Sequence, residues 1–344
     1  MMFLSIISPF HNSEKKCVRL LATLLTLKDQ DVELVFVDDG STDNTLTVLS
    51  EFLEKSQEPL KIVAQKNKGP GGARNTGLMA ATGEYVWFVD SDDDINPDAI
   101  ILLIENISVG FDFVDFNILS KGQETNSMDC SAAKYSDESI VREILLTNFG
   151  RICSKVIRRE MLIENDIFYP EFCIYEDNPL VFIYPFYVKS FLKVDMVAYY
   201  HHEEFESVTR MGVSPKYFDR MATADYGLRI GLDLCRSEFE KEVLFDKFRK
   251  LYFVNTSSKF FKPFTVPNFL IAARVGKRYR AASTKYNLNK GWFPIKDRSF
   301  KFNCAIGFAY ILSYFLPSVD CFFSKQRMLA WGRPFNENRV ELNR

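Results

Sequence analysis

The chain is poor in histidine, with three in 344 residues. Its seven cysteines (17, 130, 153, 173, 235, 304 and 321) are scattered, odd in number and form no CxxC pair. That spacing argues against a structural zinc site and against a disulfide framework, and the thiols read as free in a reducing cytosol. The N-terminus has no basic segment, and its apolar run is cut by Pro9 and His11, so it does not read as a signal peptide. Before residue 300 no apolar span reaches the length of about 20 residues that a membrane helix needs. There is no internal repeat. With 47% hydrophobic residues, 32 Phe and 15 Tyr, the chain is neither disordered, nor collagen-like, nor a disulfide miniprotein. Its length suits two domains.

Charge is segregated. The net value is −2. Residues 1–210 hold 19 Lys and Arg against 34 Asp and Glu, and residues 211–344 hold 24 against 11. The first part suits a cation-binding site, and the second an anionic partner such as a membrane surface, a phosphate-bearing lipid or a nucleic acid.

Up to about residue 108 apolar runs alternate with segments of helical length. The runs are Phe3–Ser8, Glu33–Val37, Leu60–Ala64 and Tyr85–Val89; the helical segments are Ser13–Lys28, Thr42–Lys55 and Ala73–Ala81. This order predicts an α/β domain with a mostly parallel sheet and helices on both faces. Three strand ends carry polar clusters: Ser8–Asn12, Asp38–Ser41 and Asp90–Asp94. Open parallel sheets bind ligands at the carboxyl ends of their strands, so the three are expected to share one crevice. Further on, the pattern predicts a strand at 111–119, a polar surface loop over 121–129, a helix over 136–148 and strands at 152–157 and 194–200. The chain turns helical and basic beyond a boundary near residue 212.

Asp90-Ser91-Asp92-Asp93-Asp94 holds four carboxylates in five residues. A divalent cation would relieve their repulsion. The bland alternative is an acidic helix start, with Asn96 as cap and Pro97 in the first turn. Asp39 is placed to accept a hydrogen bond from a base or a ribose, whereas capping by Ser41 or Thr42 explains only the turn. Asn67–Asn75 is a glycine-rich segment with cations that either cradles a diphosphate or is a plain loop; it is neither a Walker A loop nor a GxGxxG turn. Glu176-Asp177-Asn178 reads either as an acidic helix cap or as a source of a general base.

As a set, these clusters resemble the inverting, nucleotide-sugar-dependent glycosyltransferases of family 2, which have the GT-A fold. The matching segments are Ser5–Asn12, Asp38–Asp43, Asn67–Gly69 with Ala73–Leu78, Gly83–Asp93 and Glu176–Asn178, in the family's order over about residues 3–210. The resemblance implies a catalytic domain over 1–212, with a nucleotide-sugar half to about 108 and an acceptor half over 109–212. It implies that Asp39 meets the uracil of a UDP-sugar and that Asp90 and Asp92 form a DxD motif, with Asp92 the direct ligand of Mn²⁺ or Mg²⁺. Arg74 and Asn67 would lie near the nucleotide, and Asp93, Ser91, Pro9 and Glu176 would line the donor. Asp177 would be the general base. His11 departs from the family's usual tyrosine and would stack on the base more weakly.

The region 213–344 is expected to be helical. Residues 259–301 hold 11 Lys and Arg with interleaved aromatics, but no nucleic-acid motif accompanies them. Residues 302–319 are 18 residues without a charge, readable as a core helix, an interfacial helix or a membrane span. The expected activity is sugar transfer from a UDP-sugar to a glycan or lipid-linked glycan, at the cytoplasmic side of a membrane. A sugar-phosphate nucleotidyltransferase and an inactive glycan-binding relative are the alternatives.

Overall fold

The computed structural model describes residues 3–27, 31–56, 59–106, 110–125, 127–202, 215–261, 265–288 and 298–316. The chain divides into two compact units at residue 212, a junction outside the described residues.

The first unit opens with β1 (Leu4–Phe10), α1 (Val18–Leu24), β2 (Val32–Asp39), α2 (Thr45–Leu53), β3 (Leu60–Gln65), α3 (Gly69–Ala80) and β4 (Tyr85–Phe88). β1 and β2 are almost wholly buried, as unbroken apolar runs require when both faces are covered. On one face Leu20, Leu24, Leu49 and Phe52 of α1 and α2 join Ile6, Phe10 and Phe36 in one core. Phe10 stacks obliquely on Phe36 at 5.0 Å, and Phe36 on Phe52 at 5.5 Å. Each such side chain contributes about 2 kcal/mol on burial. On the other face α3 lies so close that a Cβ on Gly77 would come within 2.3 Å of Ile7 Cγ2.

The sheet continues through β5 (Asp94–Ile95), β6 (Phe113–Ser120), β7 (Gln123–Thr125), β8 (Ala133–Tyr135), β9 (Lys155–Arg158) and β10 (Phe191–His201), with α4 (Pro97–Asn106), α5 (Glu138–Thr147), α6 (Arg159–Glu164) and α7 (Leu180–Ile183) between them. Its order is β3-β2-β1-β4-β9-β6-β10-β5, with β7 beside β6 and β8 beside β10. The β1–β2, β2–β3, β1–β4 and β6–β10 pairs are parallel; β9 runs antiparallel to β4 and β6. β2 and β4 flank β1 on opposite sides. The direction of strand addition therefore reverses at β1, and a crevice opens at the carboxyl ends of β1 and β4.

Several local expectations shift. The segment expected to be helical from Ser13 forms α1 only from Val18, because the Ser13 N–H donates to Thr45 Oγ1 and the Glu14 N–H to Asp43 Oδ2. α3 starts at Gly69 rather than Ala73, so the glycine-rich segment is the first turn of a helix. The polar stretch 121–129 holds β7, which pairs with β6. The strand expected from 152 begins at Lys155, after a 3-10 turn over Ile152–Ser154.

At the opposite end of the sheet, Glu33 is 2% exposed. Its carboxylate accepts from Ser5 Oγ (2.6 Å), Thr82 Oγ1 (2.9 Å), the Gly83 N–H (3.2 Å) and Lys61 Nζ (2.9 Å). Burial alone would raise its pKa, but the donors from Ser5, Thr82 and Lys61 outweigh burial and lower it to about 2. A depressed carboxylate stabilises the fold above its unfolded pKa and loses that contribution as pH falls through the folded value. Glu33→Gln is therefore expected to cost about 2 kcal/mol at pH 7 and less at pH 3.5, as read by urea denaturation. An equal loss at both pH values would contradict this.

The described part of the second unit is helical: α8 (Asp219–Leu234), α9 (Glu238–Phe248), a π-helical segment (Arg249–Asn255), α10 (Thr256–Ser258), α11 (Val266–Lys285) and α12 (Phe300–Leu312). α9 starts with a capping box between Ser237 and Glu240. The apolar segment expected over 302–319 forms α12 as far as Leu312, and 317–319 lie outside the described residues. One side of it buries Ile306 and Ala309, while Phe300, Phe308, Ile311 and Phe315 are exposed. Among the described residues no helix is long and apolar enough to cross a membrane, and no disulfide forms.

Candidate active site

The loops that follow β1, β2 and β4 are bonded to one another. His11 Nδ1 lies 2.9 Å from the Asp39 carbonyl, and Asn12 Oδ1 accepts from the Thr42 N–H at 2.8 Å. Ser13 Oγ is 3.0 Å from Ser91 Oγ, which ties the β1 loop to the acidic loop. Asp39 is 2% exposed, and its Oδ1 accepts from Gln65 Nε2 at 2.7 Å and from the Lys68 N–H at 2.8 Å. Asn67 Nδ2 lies 3.2 Å from His11 Nδ1, so both side chains stand over the end of β2. Pro9 lies beyond the last β1–β4 pair, Ile7–Phe88, where its missing N–H takes no ladder bond from β4. Phe10 is core.

The helix start expected at Asn96 and Pro97 is present, but the acidic loop before it is a turn and a short strand rather than part of that helix. β4 ends at Phe88, the Asp93 N–H closes a turn on the Asp90 carbonyl at 3.1 Å, and Asp94–Ile95 pairs with β10. α4 begins only at Pro97, with Asn96 Oδ1 accepting from the Asp98 N–H. The four acids therefore diverge. Asp90 Oδ1 accepts from Arg74 Nη2 at 2.5 Å. Asp93 is 3% exposed and is surrounded by donors from β10 and the residue after it: Tyr199 Oη at 2.6 Å, His201 Nδ1 at 3.1 Å and the His202 N–H at 2.9 Å. Asp92 is half-buried between them. Burial first, and then the charges of Asp90 and Asp93, push its carboxyl up to about 6.

Arg74 connects the acidic loop at Asp90 to Glu176, which lies 102 residues further along the chain than the arginine itself. It donates to Asp90 and, from its other terminal nitrogen, to Glu176, and it lies 5.4 Å over the ring of Tyr169. Burial alone would lower its pKa, but Asp90 and Glu176 outweigh burial and hold it raised. Glu176 is equally buried; its own carboxyl is raised by burial despite Arg74. The next residue, Asp177, is exposed. Glu176–Pro179 form a turn, Pro179 takes the cap position of α7 without a side-chain cap bond, and α7 follows. The glycine-rich turn explains how this turn comes so near. A Cβ on Gly71 would lie 2.2 Å from the Pro170 carbonyl oxygen, and Asn75 exchanges two 2.8 Å hydrogen bonds with the Tyr169 backbone. Gly69 and Gly71 serve close packing against residues 169–173.

His11, Asp39, Asn67, Arg74, Asp90, Ser91, Asp93 and Glu176 thus belong to one bonded neighbourhood, and Pro9, Asp92 and Asp177 are their neighbours along the chain. Arg74, Glu176 and Asp93 spend their polar groups within the protein. The residues that sequence reasoning missed are Tyr199 and His201. Tyr199 sits inside the apolar run of β10 with no local signal, and His201 opens the polar cluster His201–Glu204 at its end, the kind of strand-end signal read elsewhere in the chain.

A parallel β-α-β half ending in carboxylate loops, joined to a mixed half, is the GT-A arrangement of nucleotide-sugar glycosyltransferases. Residues 5–165 match the model of Glycosyl transferase family 2, and the chain carries a domain of that family. The chain is 30% identical over 236 residues to the poly(ribitol-phosphate) beta-N-acetylglucosaminyltransferase TarS of Staphylococcus aureus, covering 63% of this chain and 39% of TarS. It thus spans well under half the length of that relative. It is 26% identical over 265 residues to the GalNAc(5)-diNAcBac-PP-undecaprenol beta-1,3-glucosyltransferase of Campylobacter jejuni, covering 72% of this chain and 84% of the relative. The crystal structure of S. aureus TarS 1-349 in complex with UDP-GlcNAc superposes with a TM-score of 0.66 at 26% identity, covering 82% of this chain and 81% of the other.

Proposed function

We propose that the chain is a metal-dependent, inverting glycosyltransferase. It moves a sugar from a UDP-sugar to a hydroxyl of a glycan or lipid-linked glycan, in the assembly of a bacterial surface polysaccharide. The observation that carries this reading is the bonding of the three loops at the carboxyl ends of β1, β2 and β4, with Asp92 between two further carboxylates. Asp39, His11 and Asn67 would hold the base, and Asp90, Ser91 and Asp92 would face the diphosphate.

The donor set suits a hard cation. Among the described residues no group of three or more His, Cys, Asp or Glu is gathered to hold a metal. Mg²⁺ and Mn²⁺, however, commonly use one or two carboxylates and take further ligands from phosphate and water. Asp92 would be the ligand, with Asp90 beside it. A bound cation neutralises the charge that develops on the leaving diphosphate. Asp177 would accept the acceptor's proton, because its neighbour Glu176 is buried against Arg74. Inversion is supported by the relatives: TarS is named for a beta product, it binds UDP-GlcNAc, and the sugar in that donor is α-linked.

In the second unit, the basic excess together with exposed Phe300, Phe308 and Phe315 suits peripheral contact with the anionic inner face of the cell membrane. Full recovery in the soluble fraction at low salt would count against that contact.

The test is a screen of nucleotide sugars for Mn²⁺-dependent nucleotide release. One UDP-sugar is expected to be turned over, EDTA to stop release, and Asp92→Asn to lower it by about 10²-fold or more. Release that is indifferent to EDTA and to Asp92→Asn would refute the metal assignment.

A further inference from the structure

Tyr199 lies in β10, paired with Ile118 of β6 on one side and Ile95 of β5 on the other. Its ring is fully buried in the same core as Trp87 and Phe116. Only its hydroxyl leaves that core, and it does two things there. It donates to Asp93 Oδ2 at 2.6 Å and accepts from the Asp90 N–H at 3.3 Å. One oxygen thus grips both ends of the Asp90-Ser91-Asp92-Asp93 turn. The other carboxylate oxygen of Asp93 is held by the His202 N–H at 2.9 Å and His201 Nδ1 at 3.1 Å. The turn is fastened on its other side by Ser13–Ser91 and by Arg74–Asp90. Asp92 is the acid left at its apex. No other acid in the turn has its carboxylate held by β10.

We propose that the Tyr199 hydroxyl is a positioning group for donor binding. By clamping Asp93 and the Asp90 N–H, it fixes the turn so that the Asp92 carboxylate is presented to the metal-bound diphosphate. Asp93 is then an anchor of the turn rather than a sugar or ribose contact. This rests on the donor-site reading above. It adds that the end of β10, a strand of the acceptor half, sets the geometry of the nucleotide half. Groups that orient a metal ligand commonly change metal affinity or activity by about 10- to 100-fold when removed.

The experiment uses Tyr199→Phe, which keeps the packed ring and removes the hydroxyl alone. UDP binding to the full chain is measured by calorimetry with Mn²⁺ and with EDTA, beside a thermal melt. The expected result is a loss of about tenfold or more in UDP affinity with Mn²⁺, with little change in EDTA. A purely structural role would weaken both. Asp93→Asn serves as the second variant. It is expected to show the same Mn²⁺-specific loss, and the double variant to be no worse than either single one, since the two groups act as one clamp. Unchanged Mn²⁺-dependent affinity in Tyr199→Phe, with a wild type that does respond to Mn²⁺, overturns the clamp and leaves the donor site standing. A wild type whose UDP affinity ignores Mn²⁺ overturns both.

Discussion

Asp177→Asn is expected to bind UDP as the wild type does and to lose sugar transfer by about 10²- to 10⁴-fold. Two adjacent carboxylates stand in opposite surroundings. Glu176 is buried, takes a hydrogen bond from Arg74 and has its carboxyl raised, by burial first. It has no open path to an incoming hydroxyl. Asp177 occupies the next position of the same turn and is exposed. An amide in its place keeps the shape but accepts no proton at neutral pH. The loss should therefore fall on the rate of transfer, with donor affinity unchanged. Glu176→Gln is expected to differ in kind, lowering stability along with activity. Transfer by Asp177→Asn at the wild-type rate would remove it as the base.

Arg74→Met carries the second large effect. Arg74 is 7% exposed, and its guanidinium joins Asp90 to Glu176. Removing it leaves Glu176 buried without its cation, which costs about 3 kcal/mol or more. The cost should depend on pH. Without Arg74, the Glu176 pKa moves further above its unfolded value. A carboxyl raised in the folded state lowers stability as pH rises above the unfolded pKa. The gap in melting temperature between Arg74→Met and wild type should therefore widen from pH 5 to pH 8. A second change, Glu176→Gln, should restore part of the stability, because no buried charge is then left unpaired. A gap that is small and flat across this range would mean that the bridge contributes little.

β1, β2 and β4 were legible because buried parallel strands write themselves as apolar runs between turn residues, and the half-buried edge strand β3 still shows a short apolar core, Ile62–Ala64. The meeting of Asn12, Asp39 and Asp92 in one neighbourhood was legible for a related reason: each follows such a strand, and strand ends in a parallel sheet share an edge. Two kinds of feature were not legible. β7 is three exposed residues, Gln123–Thr125, whose pairing with β6 leaves no periodic trace. The Arg74–Glu176 and Tyr199–Asp93 bonds join residues about 100 positions apart, and no local pattern announces a partner at that distance. The glycine-rich segment stayed open between two readings for a third reason. Gly71 satisfies a close approach to Pro170, which looks the same in sequence as a loop that admits phosphate.

A crystal grown with a UDP-sugar and Mn²⁺ would decide most directly whether this corner of the sheet grips a nucleoside diphosphate. The expected density puts uracil against Asp39 and His11 and a metal about 2.1 Å from an Asp92 oxygen, with diphosphate oxygens completing its shell. Nucleotide bound elsewhere on the chain, or an ordered diphosphate with Asp92 turned away from it, would contradict the assignment.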